Sequence, residues 1–140
     1  MKKPSVELRL PILPNMELIA TQTAEVISRH MNLTEDQGAE ISMALIEACI
    51  NAFEHSKAEN NVFINFLIED DSLVIISDGL PEAPNLAGEL FDYQKLQDLI
   101  TTYGNKTAQE VIDQLMIEAD AWLSGNHNPD DITLVVIKHK

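Results

Sequence analysis

The alternation of apolar and polar residues along the chain predicts four β-strands. Val6, Leu8 and Leu10 alternate with polar residues, and this period-two pattern is typical of a strand with one buried face. The other three predicted strands are apolar runs bounded by turn residues, and they cover residues 62–68, 73–76 and 132–137. Only the acidic run Glu69-Asp70-Asp71 and Ser72 separate the first two of these runs, which are therefore expected to form a hairpin.

A longer periodicity predicts four α-helices, over residues 15–31, 34–55, 93–102 and 107–123. Asn15 is expected to cap the first helix, and Thr34 with Gln37 forms a T-x-x-Q capping box at the start of the second. The second helix is apolar on most sides, so we expect a sheet and a neighbouring helix to bury it. The order β-α-α-β-β-α-α-β predicts an α/β fold (an α+β sandwich) with a mixed, largely antiparallel sheet and helices on one face.

Composition limits the classes of function that remain. A length of 140 residues suits one domain, residues 1–140. Cys49 is the only cysteine, and the sequence shows neither a signal peptide nor a membrane-spanning run, so we expect a cytoplasmic protein. A net charge of -14 disfavours nucleic acid and anionic membranes as partners. Any bound nucleotide would need Mg²⁺ and backbone donors to offset the same repulsion.

Three polar residues interrupt the apolar second helix at a spacing of four. Glu47, Asn51 and His55 are expected to project along one stripe of that helix. The amide oxygen of Asn51 is a hard ligand suited to Mg²⁺, and Glu47 could accept a proton from a hydroxyl that attacks a phosphate. The alternative is structural: the stripe is the solvent edge of the helix, and His55 interacts with the helix dipole.

The wider string Glu47-Ala-Cys-Ile-Asn51-Ala-Phe-Glu-His55 resembles the N-box of the GHKL ATPase superfamily. Over about residues 6–79 the chain is most similar to anti-sigma-factor serine kinases of the RsbW/SpoIIAB type. This resemblance implies a GHKL-like fold, with Glu47 as general base, Asn51 as Mg²⁺ ligand, and Asp78 with Gly79 at the adenine. It also implies ATP and Mg²⁺ as cofactors, a sigma factor or an anti-sigma antagonist as protein partner, and a homodimer.

The resemblance stops at the glycine-rich lid of that family. Leu80 and Pro81 follow Gly79, and no later G-x-G occurs. A glycine-rich lid brings backbone N–H groups close to phosphates, so its loss predicts weak nucleotide binding.

From about residue 72 to residue 140 the chain resembles the C-terminal part of SpoIIE-type serine phosphatases of the PPM superfamily. The resemblance depends on Ser77-Asp78-Gly79 and on the D-D-I-T sequence at 130–133. It implies that Asp78 and Asp130 bind metal under a phosphatase interpretation, although Asp130-Asp131 also fits an ordinary turn. Because both resemblances meet at Asp78-Gly79, we interpret residues 1–70 as a kinase-like half and residues 71–140 as a phosphatase-like half of one domain.

Together these patterns favour an anti-sigma, partner-switching regulator that binds Mg·ATP weakly and phosphorylates a serine of an antagonist protein. One alternative is a non-catalytic protein-interaction module. Another is a remnant or chimera of a SpoIIE-type serine phosphatase.

Overall fold

The computed structural model describes residues 4–55, 61–69, 72–77, 80–126 and 133–138. Its elements follow the predicted order, with bounds within a few residues of those expected from the sequence. They are β1 Ser5–Pro11, α1 Glu17–His30, α2 Glu35–His55, β2 Asn61–Ile68, β3 Ser72–Ser77, α3 Tyr93–Tyr103, α4 Ala108–Leu123 and β4 Leu134–Lys138.

The four strands form one sheet in the order β1-β2-β3-β4, and every neighbouring pair is antiparallel. The register places Leu8 opposite Ile64 and Phe66 opposite Ile75. The predicted α/β class and the largely antiparallel sheet are therefore confirmed. Chain order and sheet order coincide, so β1 and β4 are the two edges.

Helices cover both faces of this sheet, and the prediction of helices on one face only is wrong. Leu73 and Ile75 belong to a core shared with α1 and α2, whereas Val74 and Ile76 belong to a second core shared with α3 and α4. Successive side chains of a strand point to opposite faces. All six residues of β3 are buried, and a strand that is apolar on both faces needs cover on both.

The starts of the helices show which capping predictions hold. The Gln37 N–H donates to Thr34 Oγ1 at 3.1 Å and the Thr34 N–H donates to Gln37 Oε1 at 3.1 Å, so the predicted capping box is confirmed. Asn15 is not the cap of α1, which begins after Met16 without a side-chain cap. Asn15 instead has a left-handed φ of 70°, which turns the chain from β1 into the helix.

The segment between β3 and α3 packs into the second core. Leu80, Ala83 and Phe91 are almost fully buried there. The indole N–H of Trp122 donates to the Ala83 carbonyl at 2.9 Å, and the Trp122 ring meets the Phe91 ring edge-on, with centroids 5.9 Å apart. Lys95 lies 4.0 Å above the same indole ring. These contacts fix the segment beneath α4.

Candidate functional site

The helix α2 carries the predicted site residues, and its start is tied to the last strand. Gln37 of the capping box donates from Nε2 to the Lys138 carbonyl at 3.2 Å. Further along, Leu45 and Ala48 face β2, β3 and β4. This part of the helix therefore lies over β2, β3 and β4.

One side of α2 is buried in the first core through Ile41, Leu45 and Cys49, which follow one another at intervals of four residues. Burial, and then the nearby Glu17 carboxylate, raise the pKa of the Cys49 thiol to about 11. The thiol is therefore protonated at neutral pH and acts as a core side chain rather than as a nucleophile.

The outer side of α2 is open, so the prediction that the helix is buried on most sides is wrong. Met43 is 72% exposed, Ile50 is 43% exposed and Ile46 is 36% exposed. The physical reason is that the sheet and α1 cover only the inner face and one flank of the helix. An apolar outer face can be read from the sequence, but whether anything covers it depends on the neighbours.

Glu47 and Asn51 lie on this solvent side, and both are exposed. Their spacing of four residues places them one helical turn apart, as predicted. Exposure removes the desolvation cost that a buried carboxylate would carry, so neither side chain requires a protein partner. The side chain of His55 lies outside the described residues, as do Asp78, Gly79 and Asp130.

A narrow crevice separates α2 from the sheet beside this stripe. Its walls combine apolar side chains with two hydroxyls, from Leu45, Ala48, Ile64, Ile75, Ser77, Thr133 and Val135. Asn51 follows Ala48 by three residues, so it lies one turn further along the same side of the helix. Asp78 follows Ser77 directly in the chain. Ser77, which lines the crevice, is thus the described residue that directly precedes the predicted adenine-binding pair Asp78-Gly79.

The crevice measures about 10 Å³, which is room for a single water. An adenine ring would enter only if α2 and the β3–β4 end of the sheet moved apart. Mg²⁺ fits this place better than the base does, because the exposed amide oxygen of Asn51 is a suitable ligand and Mg²⁺ keeps several waters of its own. Across the described part of the chain, no three His, Cys, Asp or Glu side chains come together to hold a metal.

Sequence reasoning overlooked the two hydroxyl residues of the crevice. The Thr133 N–H donates to Ser77 Oγ at 3.0 Å, and this hydrogen bond joins the end of β3 to the residue just before β4. Both lie inside motifs noted in the sequence, S-D-G and D-D-I-T. The signal that could have identified them is that an antiparallel pair of strands brings the end of one beside the start of the other.

No helix among the described residues is long and apolar enough to cross a bilayer.

A protein-family model described as Stage II sporulation protein E (SpoIIE) matches residues 56–140. Curated relatives are all named serine-protein kinase RsbW. The protein from Bacillus subtilis is 32% identical over 115 residues, which is 79% of this chain and 64% of that protein. The protein from Bacillus velezensis is 31% identical and that from Bacillus licheniformis 29%, each over 115 residues and 79% of this chain.

The chain thus spans about 64% of the length of the Bacillus subtilis and Bacillus velezensis kinases. The match to the Bacillus subtilis kinase covers 115 residues, and the SpoIIE match covers residues 56–140. Because the chain has only 140 residues, the two matches must overlap. The SpoIIE match begins at residue 56, whereas the resemblance seen in the sequence was expected to begin at about residue 72.

Proposed function

The chain belongs to the Stage II sporulation protein E (SpoIIE) family, and from that premise, together with its similarity to RsbW kinases, we propose that it is a partner-switching regulator with a serine-kinase-type nucleotide site. The observation that carries the proposal is the position of Glu47 and Asn51, one turn apart on the open side of α2 and beside the crevice at Ser77. The similarity to a serine-protein kinase over 79% of the chain supports it.

In this proposal each site residue has a separate role in phosphoryl transfer. Asn51 ligates Mg²⁺, which when bound with ATP offsets the charge of the phosphates. Asp78 and Gly79, at the end of β3, bind the adenine. Glu47 accepts the hydroxyl proton of a serine on the partner protein as the serine oxygen bonds to the γ-phosphorus and the bond from that phosphorus to ADP breaks.

The segment after Gly79 predicts that binding is weak. Leu80 is fully buried in the second core, and the Asp92 N–H donates to the Pro81 carbonyl at 2.8 Å. A segment fixed in this way does not close over phosphates as a glycine-rich lid would. The net charge of -14 adds repulsion to an anionic ligand.

The partner in this proposal is a protein, either a sigma factor or an anti-sigma antagonist, and neither nucleic acid nor membrane. The proposal includes a cytoplasmic location and a homodimer. It also treats residues 1–140 as one domain, with a kinase-like half over 1–70 and a phosphatase-like half over 71–140. The continuous sheet supports one domain, because β3 pairs with β2 on one side and with β4 on the other.

A second candidate is a non-catalytic interaction module, and the closed crevice favours it. This crevice of about 10 Å³ has no room for a nucleotide base unless α2 and the sheet move apart. The exposed Met43 and Ile50 give such a module an apolar surface to present. A remnant SpoIIE-type phosphatase, with Asp78 and Asp130 as metal ligands, is the third.

Titration with a fluorescent ATP analogue, with and without Mg²⁺, separates the candidates. If the kinase proposal is correct, we expect saturable, Mg²⁺-dependent binding with a dissociation constant above the micromolar range, and we expect Asn51→Ala to abolish it. Asp120→Ala, a change at an exposed site on α4, is the matched control and should bind as the wild type does. Absence of binding at millimolar nucleotide would leave the interaction module, and Mn²⁺-dependent release of phosphate from a phosphoserine peptide would support the phosphatase.

A further inference from the structure

A cleft lies against β4, which is an edge strand of the sheet. The first turns of α2 line it on one side, Ala108 at the start of α4 lines it on another, and Val136, Ile137 and Lys138 of β4 lie between them. The cleft measures about 500 Å³, which is a usual size for a ligand-binding site. It shares no lining residue with the crevice beside Ser77.

The register shows which backbone groups of β4 point into this cleft. The Ser77 N–H donates to the Thr133 carbonyl at 3.1 Å, so Thr133 bonds towards β3 and, by alternation, Val136 and Lys138 bond away from it. The Gln37 side chain agrees with this assignment, because its Nε2 reaches the Lys138 carbonyl from outside the sheet. Among the residues that the structure describes, only β3 pairs with β4, so the outward N–H and C=O of Val136 are open to a further strand.

Two carboxylates stand on the α2 side of the cleft. Asp36 and Glu40 are four residues apart, which places them on the same side of the helix, and both are exposed. The ammonium group of Lys138 donates to the Gly104 carbonyl, on the side of α3 and α4. The net charge of the chain is -14, so the wider field has the same sign as these two carboxylates and favours a cationic ligand.

We propose that the cleft binds an extended, basic segment of a partner protein, which pairs antiparallel with β4 as a further strand. The proposal rests on the protein partner of the proposed function and specifies the chemistry of the segment that docks. An open strand edge supplies the backbone hydrogen bonds, and the carboxylates beside it supply the preference for charge. Neither feature alone would define the ligand.

The geometry also predicts the pattern of the bound segment. The residue that faces Val136 exchanges both backbone hydrogen bonds with it, and its side chain lies on the same face as Val136, towards α3 and α4. Because successive side chains alternate between faces, the residues before and after it point towards α2. There they meet Asp36 and Glu40, so we expect lysine or arginine at these positions and apolar residues between them.

Fluorescence anisotropy of a labelled peptide in which lysine and valine alternate tests this docking on the full chain, without nucleotide and at about 0.15 M salt, which screens distant charges. We expect saturable binding of this lysine peptide. The same peptide with glutamate in place of lysine should not bind.

A charge reversal tests whether the two carboxylates select the peptide. The variant D36K/E40K should bind the lysine peptide on the order of 10- to 100-fold more weakly and should gain binding of the glutamate peptide, because attractive contacts become repulsive. The matched variant E54K/D120K makes the same change of net charge at exposed positions outside the cleft and should bind the lysine peptide as the wild type does. Circular dichroism should stay native in both variants.

Backbone methylation of the peptide tests strand addition separately from charge. N-methylation of the valine residues removes the N–H groups that face β4 and should abolish binding. N-methylation of the lysine residues removes N–H groups that face away from β4, so this control peptide should bind within a few fold of the unmethylated one.

Several results would overturn the proposal: no binding of the lysine peptide, equal binding of the lysine and glutamate peptides, unchanged binding by D36K/E40K, or equal binding of the two methylated peptides. The cleft does not include Asn51, on which the proposed nucleotide site depends. Peptide binding and nucleotide binding therefore succeed or fail separately.

Discussion

The Thr133 N–H donates a hydrogen bond to Ser77 Oγ at 3.0 Å, and the Ser77 N–H donates one to the Thr133 carbonyl at 3.1 Å. This pair joins β3 to the start of β4 at the mouth of the crevice. Ser77 is 93% shielded from solvent, with 7% of its surface exposed. The two bonds therefore contribute in a setting where water cannot easily replace them.

Ser77→Ala should lower the free energy of unfolding by about 1 kcal/mol, because it removes the acceptor of the partly buried Thr133 N–H. Urea denaturation followed by circular dichroism measures the change. Ser5→Ala, at an exposed position of β1, is the control and should fall within about 0.5 kcal/mol of the wild type. Equal stability of the two variants would mean that the Thr133 N–H finds another acceptor.

Leu45→Ala should cost about 2–5 kcal/mol of unfolding free energy, because Leu45 is 1% exposed and its loss leaves a cavity between α2 and the sheet. Met43→Ala, two residues earlier on the same helix, removes a side chain that is 72% exposed. That control should change stability by less than about 0.5 kcal/mol. A large loss in the Met43 variant would show that the outer face of α2 is covered in solution.

The raised pKa of Cys49 predicts a loss of stability in alkali. The thiol ionises near pH 9.0 in the unfolded chain but only near pH 11 in the fold, so the unfolded state loses its proton first as pH rises. The stability that this group contributes is complete below pH 9.0 and declines from there towards pH 11. Denaturation measured across this window should show a shallower decline in Cys49→Ala than in the wild type.

The difference between the pH dependence of wild-type stability and that of Cys49→Ala reports on the Cys49 thiol alone, because the other groups that titrate in alkali are common to both proteins. Cys49→Ala should itself be less stable at pH 7, since Cys49 is fully buried. Parallel curves for the two proteins between pH 9 and pH 11 would contradict the assignment of the shift to burial.

Glu47→Gln should abolish any transfer of phosphate to a partner serine while leaving nucleotide binding within a few fold of the wild type. The amide keeps the size of the side chain but is far too weak a base to accept a hydroxyl proton. Phosphorylation of candidate antagonist proteins with labelled ATP, together with the fluorescent-analogue titration, measures both quantities. Equal activity in the variant would remove Glu47 from the mechanism, and a submicromolar dissociation constant would contradict the inference drawn from the missing lid.

Much of the secondary structure follows from local pattern. The capping box at Thr34 and Gln37 formed as predicted, because its bonds join residues three apart in the chain. The prediction that Asn15 caps α1 was wrong because Asn15 adopts a left-handed φ in the turn that leads from β1 to α1. The conformation of that turn depends on the relative positions of the strand and the helix. The one-turn spacing of Glu47 and Asn51 was predicted correctly, and their exposure agrees with the alternative in which the stripe is the solvent edge of α2.

The sequence alone determined the order of the strands and helices, the antiparallel hairpin of β2 and β3, and the one-turn spacing of Glu47 and Asn51, because each depends on residues that are close in the chain. Only the tertiary structure decided that helices cover both faces of the sheet, that Met43 and Ile50 remain open, and that Thr133 meets Ser77. These outcomes depend on which surfaces that are distant in the sequence pack together. Apolar periodicity indicates that one face of an element is to be buried, but it does not indicate which other element buries it.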